Sequence, residues 1–191
     1  MKKKLFALAV VMICLALLTQ STIAYFTSEA TATNVITTDG IKIAVEQWQQ
    51  TENGLVPYPQ EAPIKVMPGI SVSKIVTVKN LDAPSYVRVK LELALKDAQN
   101  REMNVSEQEK ERLVLLELNT EDWTQKDGWW YYNTAVDTAE ATEALMKDVT
   151  FAGKEMGNEY QAATLEILIT AQAVQQANNG SSPMDAKGWP E

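Results

Sequence analysis

Histidine is absent from the chain, and the one cysteine, Cys14, sits inside an apolar run near the N-terminus. These two facts remove most catalytic devices. An H-E-x-x-H zinc site cannot be built, and carboxylates alone lack the nitrogen and sulfur donors that zinc favours. Ser-His-Asp and Cys-His catalysis fail for want of an imidazole. The 25 Asp and Glu residues remain. Paired carboxylates can cleave glycosidic bonds, but no local spacing singles out a pair here. No D-x-[DN]-x-[DN]-G calcium loop is present either. The residue inventory therefore predicts a protein that is not an enzyme, with no cofactor and no metal.

The other chemically suggestive stretch is Trp129-Trp130-Tyr131-Tyr132, a run able to stack on sugar rings. Residues in a strand alternate in direction, so Trp129 and Tyr131 face one way while Trp130 and Tyr132 face the other. One pair is expected to pack as core or sheet edge. The other is a covered or exposed face, and the run Trp129, Trp130, Tyr131 and Tyr132 reads either as core or sheet-edge packing or as a contact surface.

Strands are needed to hold such a run. Ser71 to Asn80 is rich in β-branched residues. Tyr86 to Leu95 alternates strictly, with Val87, Val89, Leu91, Leu93 and Leu95 on one side and Tyr86, Arg88, Lys90 and Glu92 on the other. That pattern predicts a strand buried on one face and wet on its reverse. Thr164 to Val174 repeats it with Leu165, Ile167, Ile169, Ala171 and Ala173. Ile41, Ile43 and Val45 share one side of a further strand, and Leu113 to Leu118 and Leu145 to Phe151 read as two more.

Turn chemistry falls between these runs. Asn53-Gly54 predicts a hairpin whose two central residues take positive φ. Pro57, Pro59 and Pro63 mark an irregular connection, and Met67-Pro68-Gly69 a turn. Lys126-Asp127-Gly128 joins Trp123–Gln125 to the aromatic run. Ser106-x-x-Glu109 predicts a capped helix over Glu107 to Arg112. Roughly eight short strands with one or two short helices predict an all-β fold, an antiparallel, jelly-roll-like β-sandwich. Residues 25–177 are expected to form it, with a loosely held C-terminal tail at 178–191.

The N-terminus reads as an export signal. Lys2, Lys3 and Lys4 precede the apolar run Leu5 to Leu18, and Thr22 and Ala24 supply small residues for a cut between Ala24 and Tyr25. The run is short for a membrane span, which needs about 20 residues. Bulky Met12 and Ile13 argue against a lipid anchor at Cys14. After cleavage of 1–24 the chain keeps 14 Lys and Arg against 25 acids, a net charge of −11. That charge argues against nucleic acid or anionic lipid as partners, and leaves membrane contact only through the uncleaved signal. Without a cysteine, the exported form must be stabilised by its core alone. Lys187 to Glu191 lacks the apolar segment and basic tail of a sortase anchor.

Several motifs together resemble one group. Tyr25-Phe26-Thr27 directly after the signal, Val66-Met67-Pro68-Gly69 before a strand ending in Val78-Lys79-Asn80, and Tyr86-Val87-Arg88-Val89-Lys90 belong to this set. So do Asp127-Gly128-Trp129-Trp130-Tyr131-Tyr132, Ala171-Gln172-Ala173-Val174-Gln175 and Gly188-Trp189-Pro190. In this order they resemble the Gram-positive exported proteins processed by a SipW-type signal peptidase, the TasA-like biofilm matrix fibre proteins and camelysin. The resemblance implies a jelly-roll sandwich, secretion to the extracellular matrix or cell surface, and processing by that peptidase. It also implies head-to-tail self-association. The segment expected to carry it is Tyr25 to Ile36, where Tyr25, Phe26, Thr27, Ala30, Ala32, Val35 and Ile36 either complete their own sandwich, as in a monomer, or add as a strand to the next subunit's sheet, as in a fibre. A second reading is a non-polymerising secreted module that binds wall glycan or a protein partner, including other matrix proteins, through the aromatic hairpin.

Overall fold

The computed structural model describes residues 34–35, 41–59, 64–160 and 162–190. Among these residues eleven strands and one α-helix follow in chain order. They are β1 (Asn34–Val35), β2 (Ile43–Thr51), β3 (Gly54–Pro57), β4 (Ile64–Lys65), β5 (Ser71–Asn80) and β6 (Ser85–Lys96). Helix α1 (Glu107–Leu113) precedes β7 (Val114–Leu118), β8 (Trp123–Lys126), β9 (Trp129–Tyr132), β10 (Met146–Phe151) and β11 (Thr164–Gln175). One sheet runs β1-β11-β6-β9-β8, with β4 also on β11, and the other runs β3-β2-β5-β10-β7. Their facing sides merge into one core, so the protein is an all-β, two-sheet sandwich.

The alternation predicted from sequence sets this core. Ile43, Val45, Val76 and Val78 from one sheet meet Val87, Val89, Leu95, Leu165, Ala171 and Ala173 from the other. Every strand pair among the described residues is antiparallel but one: β1 runs parallel to β11. β6 and β11 pair along their full lengths, from Thr164 opposite Lys96 to Gln175 opposite Ser85. This long ladder is the scaffold for both sites described below.

Two short hairpins solve the same problem differently. At Asp127-Gly128 both residues adopt positive φ (52° and 79°), the geometry a two-residue turn needs to follow strand twist. At Asn53-Gly54 only Gly54 does (φ 107°), and Glu52 and Asn53 form the loop itself. The hairpin therefore follows the pattern in which glycine comes after the turn, and Asn53 is not a positive-φ residue as expected. Thr51 Oγ1 fixes it by donating to the Gly54 carbonyl at 2.8 Å.

Helix α1 starts as predicted, with the Ser106 side chain accepting from the Glu109 N–H at 3.3 Å. The Glu109 carboxylate, however, accepts from the Tyr160 hydroxyl (3.1 Å), tying the helix to a 3-10 turn at Asn158–Tyr160. Asn80, which ends β5, is fully buried and fully used. Its Nδ2 donates to the carbonyls of Ala83 and Val136, and its Oδ1 accepts from the Asp82 N–H. A polar residue ends this strand because it ties the β5–β6 turn to the segment leading into β10.

The C-terminal tail is not loosely held. Tyr86, Val174 and Ala186 form a second small apolar cluster, with Trp189 packed on it, on the outer side of the β6–β11 ladder. Asn179 clamps the tail by donating to the Lys187 carbonyl (2.9 Å) and accepting from the Lys187 N–H (2.7 Å). The reverse side of β6 is therefore wet only in part: Tyr86 is buried beneath the tail.

Candidate functional site

The first site is a cross-strand row on the outer side of this ladder. Strand pairing sets Gln172 opposite Arg88, and Arg88 opposite Tyr131. The Arg88 guanidinium donates through Nε (2.8 Å) and Nη2 (2.6 Å) to Gln172 Oε1, and through Nη1 to the Tyr131 hydroxyl (3.2 Å). Nη2 also reaches the Pro190 carbonyl (3.1 Å). The cation lies 4.1 Å from the Trp129 ring and 4.6 Å from that of Trp189. Tyr131 and Trp189 meet edge to face at 5.7 Å. No carboxylate pairs with Arg88 among the described residues. Aromatic faces and a carboxamide hold it instead.

The alternation expected of the aromatic run is present. Trp130 and Tyr132 pack on the core, and Tyr132 lies 5.1 Å from the ring of Trp123. Trp123 is itself buried and donates from Nε1 to the Glu143 carbonyl (3.1 Å). Trp129 and Tyr131 form the outer pair, but they meet Arg88 and Trp189 rather than an open platform. Sequence reasoning missed Arg88, Gln172 and Trp189 as partners. Alternation put Arg88 on the outer side of β6, yet nothing local pairs it with residues some hundred positions away.

The second site is the outer edge of β11. Its far side is fully paired with β6, while among the described residues this edge holds two short partners, β4 at Thr164–Leu165 and β1 at Thr170–Ala171. From 166 to 169 no strand borders it among the described residues. Asn34 and Val35 are thus the residues of the expected Tyr25 to Ile36 segment that the structure describes, and both are paired within their own chain. Ala24, Tyr25, Phe26, Thr27, Ala30, Ala32 and Ile36 lie outside the described residues, as does the cleavage point.

No family model, curated protein or solved structure matches this chain. The likeness to the TasA and camelysin group rests on the sequence motifs quoted above.

A third polar feature lies in the interior. Lys74 projects from β5 into the core side and is only 6% exposed. Its ammonium donates to Gln47 Oε1 at 2.7 Å and lies 3.6 Å from the centre of the Tyr58 ring. Burial lowers its pKa from 10.5 to about 8. Burial likewise raises that of Tyr58, which keeps the phenol neutral beside it. Among the described residues no three Asp, Glu, Cys or His side chains gather as metal ligands, and no helix is long and apolar enough to cross a membrane.

Proposed function

We propose that this chain is an exported structural protein of the cell surface or extracellular matrix whose subunits join head to tail through the N-terminal strand. The observation that supports this most is the pairing of β1. It is an addition to an exposed sheet edge, made parallel to β11 and not woven between strands. A strand held that way makes the same main-chain bonds whether it comes from its own chain or from a neighbour. Exchange between copies is a heterologous contact and generates filaments. Signal removal by a SipW-type peptidase would free that strand, making cleavage the trigger of assembly.

The reading as a non-polymerising glycan binder has less support, because the outer aromatic pair is occupied by Arg88 and the tail. Negative-stain microscopy of residues 25–191, beside the same protein with an extra N-terminal tag, tests the proposal. Filaments from the clean N-terminus alone are expected. Absence of filaments from both samples would overturn it.

A further inference from the structure

The sandwich has several sheet edges, and most are blunted. β3 ends in Pro57, β4 is two residues long, and β8 carries Lys126 beside polar Thr124 and Gln125. Short strands, proline and lysine are what keep an edge from pairing with another chain. β7 closes the other end of the β3-β2-β5-β10-β7 sheet. Its sequence, Val114-Leu115-Leu116-Glu117-Leu118, has no proline, glycine or lysine, and Leu115 is 52% exposed.

The hydrogen-bond phase of β7 is fixed at both ends. The Leu113 carbonyl accepts from the Ala152 N–H, and the Asn119 N–H donates to the Leu145 carbonyl. Odd-numbered residues therefore point their main-chain groups at β10, and Val114, Leu116 and Leu118 point theirs away. The Val114 N–H is used by the Lys110 carbonyl at the end of α1. The Val114 carbonyl and both main-chain groups of Leu116 and Leu118 face outward.

We propose that β7 is a self-association edge at which two copies of this chain pair antiparallel, with Leu116 opposite Leu116. In that register Val114 lies opposite Leu118, so each outward-pointing residue meets another. The pair forms about four main-chain bonds: two between the Leu116 residues, and one from each Leu118 N–H to a Val114 carbonyl. The charges also agree. Glu117, the one charge on the strand, meets Leu115 of the other copy and not its own counterpart. The contact is isologous and closes at two copies, so it joins two five-stranded sheets into one and is separate from head-to-tail growth.

Sedimentation of the purified chain, kept in its N-terminally tagged form so that the amino-terminal strand is blocked, tests this over a concentration series. The species is expected to approach twice the monomer mass and to stop there. Leu115→Glu sets two pairs of glutamates face to face and is expected to leave monomer. Leu115→Lys sets lysine opposite Glu117 and is expected to dimerise at least as well as the parent. Position 115 is exposed, so both variants fold, which circular dichroism checks. A parent that stays monomeric, or two variants that behave alike, would overturn the proposal.

Discussion

Arg88 and Lys74 are two cations handled with the same materials and opposite results. Each donates to a glutamine carboxamide and lies on aromatic faces, and neither has a carboxylate partner among the described residues. The guanidinium of Arg88 is flat, delocalised and weakly hydrated, so it slides between Trp129 and Trp189 while its fork serves Gln172, Tyr131 and Pro190. Lys74 carries a compact, strongly hydrated charge, and burial depresses its pKa to about 8. One site therefore fastens the tail to the sandwich. The other is a cost the core carries.

Changes around Arg88 are expected to give the largest effects. A chain ending at Ala177 uncovers Tyr86 and Val174 and removes Trp189 from Arg88, and is expected to lose about 3 kcal/mol or more in urea unfolding. Arg88→Ala leaves Gln172 without its donor and separates Trp129 from Trp189. It is expected to cost about 2–3 kcal/mol by the same measure, with Arg88→Lys recovering only part.

Lys74→Met keeps the side-chain length and removes the buried charge, so a gain of about 1 kcal/mol is expected from thermal unfolding near pH 7. The pH dependence follows from the same group. Between about pH 8 and pH 10.5 the unfolded chain holds a proton at this lysine that the folded chain has released. Stability contributed by this site therefore rises with pH across that window, and below it the penalty is constant. The advantage of Lys74→Met over the parent is expected to shrink as pH climbs from 8 to 10. Tyr58, the other titratable group facing Lys74, is present in both proteins and drops out of the difference.

Much of the sandwich was legible because its long strands alternate cleanly. β5, β6 and β11 could be placed from Val76 and Val78, from Val87 and Val89, and from Leu165 and Ala171. The Ser106 cap and the turn at Asp127-Gly128 were legible too, since both are local chemistry. What escaped is non-local. The tail is rich in glycine, serine and proline and reads as loose, yet Trp189 and the Pro190 carbonyl find Arg88 on a strand near the middle of the chain. At Asn53-Gly54 the dipeptide named the hairpin but not its phase, because glycine fits equally well one position later in the loop. Lys74 was invisible as a core residue, since alternation puts it in line with Val76 and Val78 while its type says surface.

The proposed joining of subunits by the N-terminal strand at the β11 edge is what filament growth depends on. Its most direct test is a time course of negative-stain microscopy on residues 25–191 and on residues 37–191, which lack the whole proposed donor strand including β1. Filaments in the first sample and none in the second are the predicted result. Filaments that form equally well without residues 25–36 would contradict it.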